Sequence, residues 1–180
     1  MCNCGRRRAV GGGGGGGGGG TIRRYGRRRG VGTRMVPDPA PALFNGMIIR
    51  DTREWGPLLW TVMHSLAEIG GSAIADADWT ELFVSLQTSL PCPDCTAHYT
   101  AWLAAHPPPT TGIAAARMWL LDLHNDVNAR KGVATWTEAQ LPPAYGGANK
   151  TTLTTQVEGL RALIGVGAVT VLARMVAALP

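Results

Sequence analysis

Four stretches of this chain repeat apolar residues at helical spacing, and glycine or proline closes each of them. The closing residues are, in order, Gly70-Gly71, Pro91, Pro107-Pro108-Pro109 and Gly132. Apolar residues three and four positions apart lie on one face of a helix, whereas glycine and proline end helices. The alternation of apolar and polar residues that marks strands is not seen. The sequence therefore predicts an all-α protein organised as a four-helix bundle.

The same spacing sets the expected helix bounds. The predicted helices cover about 52–69, from Asp76 or Asp78 to 89, 92–105 and 113–131. Thr52 is the expected cap of the first helix, because its hydroxyl can accept a first-turn N–H. A short helical turn followed by a linker is expected within 136–150, where prolines and glycines interrupt any longer helix.

The segment before the bundle is low in complexity. Residues 1–34 contain nine arginines, no acidic residue and an uninterrupted run of glycine at 11–20. A segment with almost nothing to bury is expected to be disordered. The remaining residues carry eight Lys and Arg against twelve Asp and Glu. Because the basic charge belongs to the tail, the composition does not indicate a specific nucleic-acid-binding domain.

The segment after the bundle is apolar on all sides from 157 to 179, and we predict one helix there. Its uninterrupted apolar stretch, 162–173, is shorter than the roughly 20 residues that cross a bilayer. Arg161 and Arg174 could extend it by reaching the two interfaces. A membrane anchor and a packed helix are both compatible, and the linker before the segment slightly favours the anchor. The predicted organisation is a tail and linker at 1–44, a domain at 45–147, and a linker with an apolar helix at 148–180.

The four cysteines form two close pairs, Cys2 with Cys4 and Cys92 with Cys95. Close pairs are typical of redox dithiols and metal sites rather than of disulfides that brace secreted domains. Cys92 and Cys95 lie where a helix is expected to begin, and its N–H groups lower the pKa of a thiol there. A zinc site is the alternative, with Cys92, Cys95, His98 and either His64 or His124 as four ligands.

Two further motifs flank the C-x-x-C pair. The upstream motif is Trp55-Gly56-Pro57-Leu58-Leu59-Trp60-Thr61-Val62-Met63-His64. His98-Tyr99 follows shortly after Cys95. The downstream motif is Trp119-Leu120-Leu121-Asp122-Leu123-His124-Asn125-Asp126-Val127-Asn128. This set, in this order, resembles the Erv/ALR family of flavin-dependent sulfhydryl oxidases. The resemblance extends over roughly 45–147 and favours redox chemistry over zinc.

The resemblance implies a bundle with a short fifth helix that binds FAD, and a catalytic pair formed by Cys92 and Cys95. Cys95 is then the inner sulfur facing the flavin, and Cys92 the one attacked by an incoming thiol. Flat aromatic faces and the polar face of the last motif helix suit an isoalloxazine, an adenine and a ribose, and a neighbouring cation suits a pyrophosphate. The implied cofactor-binding residues are Trp55, Gly56, Trp60, His64, Cys95, His98, Tyr99, Trp119, His124, Asn125, Val127, Asn128, Arg130 and Lys131.

The resemblance also implies partners and a setting. Dithiol proteins or a thioredoxin-like relay protein would be the substrates, O2 the electron acceptor and H2O2 the product, and the protein would be a homodimer. The compact core looks like the minimal enzymes of large DNA viruses, so the expected location is the cytoplasm or the virion of an infected host, with an anchor at the C-terminus if residues 157–179 enter a membrane.

The chain departs from the family at three places. Cys2-Asn3-Cys4 is a C-x-C on a glycine-rich tether, which fits a shuttle disulfide. An acylation site and an incidental pair are the alternatives. No cysteine follows Cys95, so a downstream structural disulfide is missing. Val133 and Ala134 stand where the family often has a lysine, and Arg130 or Lys131 would have to replace it. The rival functions are a zinc-stabilised binding module and a membrane-attached relative without catalysis.

Overall fold

The structure is a computed structural model that describes residues 40–180. The elements, in chain order, are β1 (Leu43–Phe44), β2 (Met47–Ile48), α1 (Thr52–Ile69), a 3-10 turn (Gly71–Ala73), α2 (Asp76–Ser89), α3 (Pro93–Ala105), α4 (Ile113–Lys131), a second 3-10 turn (Glu138–Gln140), α5 (Leu141–Tyr145), α6 (Lys150–Leu160) and α7 (Val166–Ala178). The all-α prediction is confirmed for this part of the chain. The predicted tail at 1–34 and the pair Cys2 and Cys4 lie outside the described residues.

A small antiparallel hairpin precedes the bundle and was not predicted. Leu43 pairs with Ile48 across β1 and β2, and Asn45 and Gly46 turn the chain with positive φ. Such Asn-Gly turns match the twist of a two-stranded ribbon. The two strands are too short to show alternation in the sequence. Beyond the hairpin, the Arg50 N–H donates to the Pro91 carbonyl at 3.0 Å, which ties this segment to the loop before Cys92.

Helix α1 is capped by Asp51, and the prediction of Thr52 as the cap was wrong by one residue. The Asp51 carboxylate accepts the Arg53 N–H, and the Glu54 side chain accepts the Asp51 N–H. This reciprocal arrangement satisfies N–H groups that have no partner inside the helix. Pro57 lies inside α1, in its second turn, and has no N–H to donate to the Arg53 carbonyl.

The four predicted helices are present with nearly the expected bounds. Helix α3 begins at Pro93, because proline suits the first helical position. Helix α4 ends at Gly132, whose left-handed backbone at φ 66° lets its N–H reach the last-turn carbonyls. The short fifth helix is α5. These elements place the C-x-x-C pair at the N-terminus of α3 and the third motif along α4.

The prediction of one C-terminal helix over 157–179 was wrong, and the preceding linker is also helical. Two helices, α6 and α7, are joined by a turn at 161–165. Ser89 at the end of α2 contacts Gly165, and Arg174 bonds Asp78 near the start of α2. Helix α7 therefore runs antiparallel to α2. Its apolar residues enter the core. Of the two alternatives, a membrane anchor and a packed helix, the structure therefore shows packing for this segment.

The core is continuous across the described helices. Its fully buried members include Val62, Leu66, Leu82, Phe83, Leu120, Leu153, Leu160, Leu172 and Met175. These residues come from α1, α2, α4, α6 and α7, which means that the two C-terminal helices and the predicted bundle share one core. No helix between residues 40 and 180 is long and apolar enough to cross a membrane.

Candidate functional site

A groove runs between α1, the end of α2, α3 and α4. Its empty volume is about 800 Å³, part of which opens to solvent. Leu59, Met63, Leu86, Leu90 and Leu123 give it mainly apolar walls. Pockets for cofactors and other small molecules are commonly lined by apolar and aromatic side chains with a few polar groups. The groove therefore has the lining of a cofactor site.

The C-x-x-C pair lies at one side of this groove. Cys92 and Cys95 form a disulfide with their Cα atoms 5.2 Å apart. Cys92 caps α3, and its sulfur accepts the Cys95 N–H at 3.3 Å. Cys95 is partly exposed and lines the groove, whereas Cys92 is fully buried, so the expectation that Cys95 is the inner sulfur was wrong. An incoming thiol can therefore reach Cys92 only if neighbouring residues move.

Nine of the fourteen predicted cofactor residues line the groove. They are Trp55, Gly56, Trp60, Cys95, His98, Tyr99, Val127, Arg130 and Lys131. They come from α1, α3 and α4, so folding brings the three sequence motifs together. The other five predicted residues, His64, Trp119, His124, Asn125 and Asn128, lie behind or beside the groove.

His64 and His124 belong to an aromatic cluster that adjoins the groove at Trp60. We define this aromatic cluster as Trp60, His64, His124, Trp136 and Tyr145. Trp60 stacks on His124 with ring centroids 4.1 Å apart, and Tyr145 stacks on His64 at 4.8 Å. The Nε2 atom of His64 lies 2.9 Å from Nδ1 of His124. The ring centroid of Trp136 lies 6.4 Å from that of His124.

Both histidines of the cluster are neutral at pH 7. Burial lowers the pKa of His64 to about 3, with smaller contributions from the charges of His124 and Arg117. Burial also lowers the pKa of His124 to about 4, and Lys131 adds to the effect. With both rings neutral, one nitrogen of the close pair donates and the other accepts.

Asn125 and Asn128 hold the chain that follows α4. Asn125 donates to the Trp136 carbonyl at 2.8 Å and accepts the Trp136 N–H at 2.7 Å. Asn128 donates to the Ala134 carbonyl at 3.3 Å. The two amides were predicted to face ribose and adenine, but here they bond backbone. Asn125 thereby fixes the position of Trp136 in the aromatic cluster.

Trp119 and Tyr99 support the site from the core. Trp119 donates from Nε1 to the His106 carbonyl at 2.9 Å and packs on Phe83, with ring centroids 4.3 Å apart. The Tyr99 hydroxyl donates to the Phe83 carbonyl at 2.6 Å, and burial raises the pKa of Tyr99. Tyr99 still reaches the groove with part of its ring. Trp119 does not line the groove, so its prediction as a cofactor contact has no support from its position.

The part of the sequence that forms this site also matches a known family model. The Erv1/Alr family model matches residues 57–142, from the second turn of α1 into α5. The chain belongs to the Erv1/Alr family. The family comprises FAD-linked sulfhydryl oxidases in general, so membership implies a flavoprotein oxidoreductase that acts on thiols. No curated protein and no solved structure matches the chain.

The groove of this Erv1/Alr member fits a flat apolar ring with an anionic extension. The indole N–H of Trp55 is buried at the groove without a hydrogen-bond partner in the described part of the chain. A buried donor of this kind costs free energy unless a ligand accepts from it. Arg130 and Lys131 line the same groove and can meet a pyrophosphate. The residues present therefore fit FAD.

A zinc site has less support. Within residues 40–180, no group of three or more His, Cys, Asp and Glu side chains is placed to share a metal ion. His64 bonds His124, and His98 bonds a carboxylate. The four ligands that the zinc alternative required are thus engaged elsewhere.

Three residues of the site were missed in the sequence. Asp126 bonds His98 beside Cys95, and Trp136 and Tyr145 complete the aromatic cluster. Asp126 occupies the variable position of the third motif, and nothing local indicates a partner 28 residues earlier. Trp136 precedes the short fifth helix and Tyr145 is its last residue, and these two aromatic residues after α4 were an available signal.

Proposed function

We propose that this Erv1/Alr member oxidises dithiols to disulfides, uses FAD in the groove, and passes the electrons to O2 with release of H2O2. One observation carries the proposal: a disulfide sulfur, that of Cys95, lines a groove whose walls fit a flavin. A flavin and a disulfide must be adjacent for two electrons to pass between them, and no Rossmann-type loop is needed for that.

The thiol steps follow from disulfide exchange. A substrate thiolate attacks the Cys92 sulfur, the Cys92–Cys95 bond breaks, and Cys95 leaves as a thiolate. The second substrate thiolate then attacks the mixed disulfide, which releases the substrate disulfide and a Cys92 thiolate. The N-terminus of α3 stabilises negative charge on Cys92, since its sulfur already accepts the Cys95 N–H. FAD, when bound, supplies the two-electron acceptor that restores the Cys92–Cys95 disulfide and delivers the electrons to O2.

The surrounding residues prepare the groove. Trp55 and Trp60 offer an indole donor and a flat face, while Arg130 and Lys131 offer positive charge. The apolar walls exclude water from the sulfur that faces the cofactor. The aromatic cluster supports Trp60, whose ring stacks on that of His124.

The partners of the reaction remain predictions. The substrates would be dithiol proteins or a thioredoxin-like relay protein, with Cys2 and Cys4 as a shuttle. The homodimer, the viral origin, and the cytoplasmic or virion location also stay predictions.

The test uses the full chain of 180 residues, its flavin spectrum, and oxygen uptake with dithiothreitol. We expect a bound flavin that bleaches on reduction and recovers as oxygen is consumed. Cys95→Ser should abolish oxygen uptake while flavin stays bound, because the sulfur next to the flavin is lost. The double variant Cys2→Ser, Cys4→Ser is the matched control and should keep full uptake with this small dithiol.

Two outcomes would overturn the proposal. Undiminished oxygen uptake in Cys95→Ser would remove the C-x-x-C pair from the reaction. A folded protein that binds flavin but consumes no oxygen with any dithiol would indicate a family relative without catalysis.

A further inference from the structure

His98 and Asp126 form a polar pair at the groove beside the redox disulfide. His98 Nε2 lies 2.6 Å from Asp126 Oδ2, and the His98 side chain is only 14% exposed. The pair joins α3 to α4. His98 and Cys95 both line the groove and are three residues apart on α3, so they share one helix face.

The bond to Asp126 sets the orientation of the imidazole. A carboxylate at Nε2 favours the proton on that nitrogen and leaves the lone pair on Nδ1. Helical side chains lean towards the N-terminal turn, which for His98 is the turn that carries Cys95. The His98 side chain therefore lies on the same side of α3 as Cys95, and both residues line the groove.

Other charged groups near His98 do not replace this carboxylate. Helix α4 contributes Arg130 and Lys131 to the groove, and both are cationic. The groove residues of α1 and of the α2 end are uncharged. At the start of α1, Asp51 is bonded to Arg53 and Glu54 to Arg50. Asp94, the remaining acid near the pair on α3, is exposed.

We propose that His98, held by Asp126, accepts the thiol proton of Cys95 in the reduced enzyme. The S–H bond of Cys95 breaks, the proton moves to Nδ1 of His98, and the electron pair stays on the sulfur. The products are a thiolate and an imidazolium, which the Asp126 carboxylate stabilises. No electron leaves the pair in this step. His98 is a catalytic residue in this reaction and Asp126 a positioning residue, and the inference rests on the proposed oxidase function.

The experiment measures how pH controls the alkylation of Cys95 by iodoacetamide. The parent is the full chain with Cys2, Cys4 and Cys92 replaced by serine, so that Cys95 carries the only thiol that iodoacetamide can alkylate. His98→Gln removes the base, and Asp126→Asn removes the carboxylate. Asp122→Asn is the matched control, because it removes the same charge one turn earlier on the exposed side of α4. All variants are compared at equal flavin content and after thermal unfolding shows that they fold.

We expect His98→Gln to raise the pH midpoint of alkylation by about one unit, the lower end of the 1–3 units that an adjacent opposite charge produces. Asp126→Asn should raise it in the same direction, because a less stable imidazolium holds the thiol proton less well. Asp122→Asn should coincide with the parent. In the His98→Gln background, Asp126→Asn should produce no further rise, since its effect passes through His98.

The direction in which Asp126→Asn shifts the alkylation midpoint distinguishes positioning of His98 from any other effect of Asp126. If Asp126 acted on Cys95 only through its negative charge, its removal would lower the midpoint. A lower midpoint in Asp126→Asn, or an unchanged midpoint in His98→Gln, would overturn the proposal. If His98→Gln does not fold, the direction of the Asp126→Asn shift alone decides. Alkylation needs neither oxygen nor turnover, so this result is independent of whether the oxidase assay succeeds.

Discussion

Replacing Gly165 with alanine should destabilise the protein at the junction between α2 and α7. The Gly165 N–H donates to the Ser89 carbonyl at 2.7 Å, and the Ser89 hydroxyl accepts the Ala168 N–H at 3.1 Å. Each helix thus satisfies an end of the other, because α2 leaves carbonyls and α7 leaves N–H groups without partners. Ser89 lies three residues before Cys92, so this junction also supports the segment that enters the redox pair.

The magnitude follows from the space at Gly165. An added Cβ would lie 2.6 Å from the Ser89 Cα atom, which is backbone and cannot rotate away. Overpacking of this kind costs about 1–3 kcal/mol, and weakening the two hydrogen bonds adds about 1 kcal/mol. We expect a loss of about 2–4 kcal/mol in the free energy of unfolding. For a domain of this size, that loss lowers Tm by roughly 10 °C.

Gly167→Ala is the matched control for Gly165→Ala. The new Cβ at position 167 would meet the Ser89 Oγ at 3.3 Å and the Ser85 Cβ at 3.8 Å. Alanine inside a helix gains up to about 1 kcal/mol over glycine, which offsets this tighter contact. We expect Gly167→Ala to lie within about 1 kcal/mol of the parent in urea and thermal unfolding of the full chain.

Two results would refute this account of the junction. One is a parent-like Tm for Gly165→Ala, which would mean that α7 does not press on Ser89. The other is an equal loss for both glycine variants, which would point to a general effect on α7 rather than to the close approach at Ser89. If the account holds, removing residues 150–180 should also expose the apolar sides of α1 and α2, so the shorter chain should unfold or aggregate.

An ion pair and a histidine pair lead to two further predictions. Glu68 is 8% exposed and bonds Arg117, which also bonds the 61% exposed Glu138. Glu68→Gln should lower the free energy of unfolding in urea by about 1–3 kcal/mol, because Arg117 loses its buried partner. Glu138→Gln should lower it by less than about 1 kcal/mol, because Glu138 is exposed. Equal losses in the two variants would contradict the role of burial. The folded-state pKa values of His64 and His124, about 3 and about 4, lie below their ordinary value of 6.5. The unfolded chain therefore binds protons first, so Tm should fall as the pH drops from about 6.5 towards 4, and His64→Gln should show a shallower fall. A pH-independent Tm in that window would show that the two rings are not buried neutral.

The groove could be anticipated in part from the sequence. Trp55, Trp60 and Cys95 stand in motifs whose spacing places them on helix faces, and all three line it. The prediction was less successful for Asn125, whose amide bonds the backbone of Trp136. A helical pattern indicates which face a side chain occupies, but not whether the facing partner is a cofactor or the next loop.

The C-terminal segment was the least predictable part of the fold. An apolar helix can bury itself equally well in a bilayer or in a protein core, because both remove the same surface from water. What decided the packing was a surface on α2 that contacts Gly165 through Ser89 and Arg174 through Asp78. These partners lie far apart along the chain, and no local pattern connects them.

The sequence alone determined the four helices α1 to α4, most of their ends and the C-x-x-C pair at the start of α3. Those features depend on neighbouring residues: Pro93 starts α3 directly after Cys92, and Gly132 ends α4 with a left-handed turn. Only the tertiary structure decided that Asp126 faces His98 and that α7 lies along α2. The physical reason is that local backbone preferences act over a few residues, whereas these contacts exist only after distant helices have buried their apolar faces together.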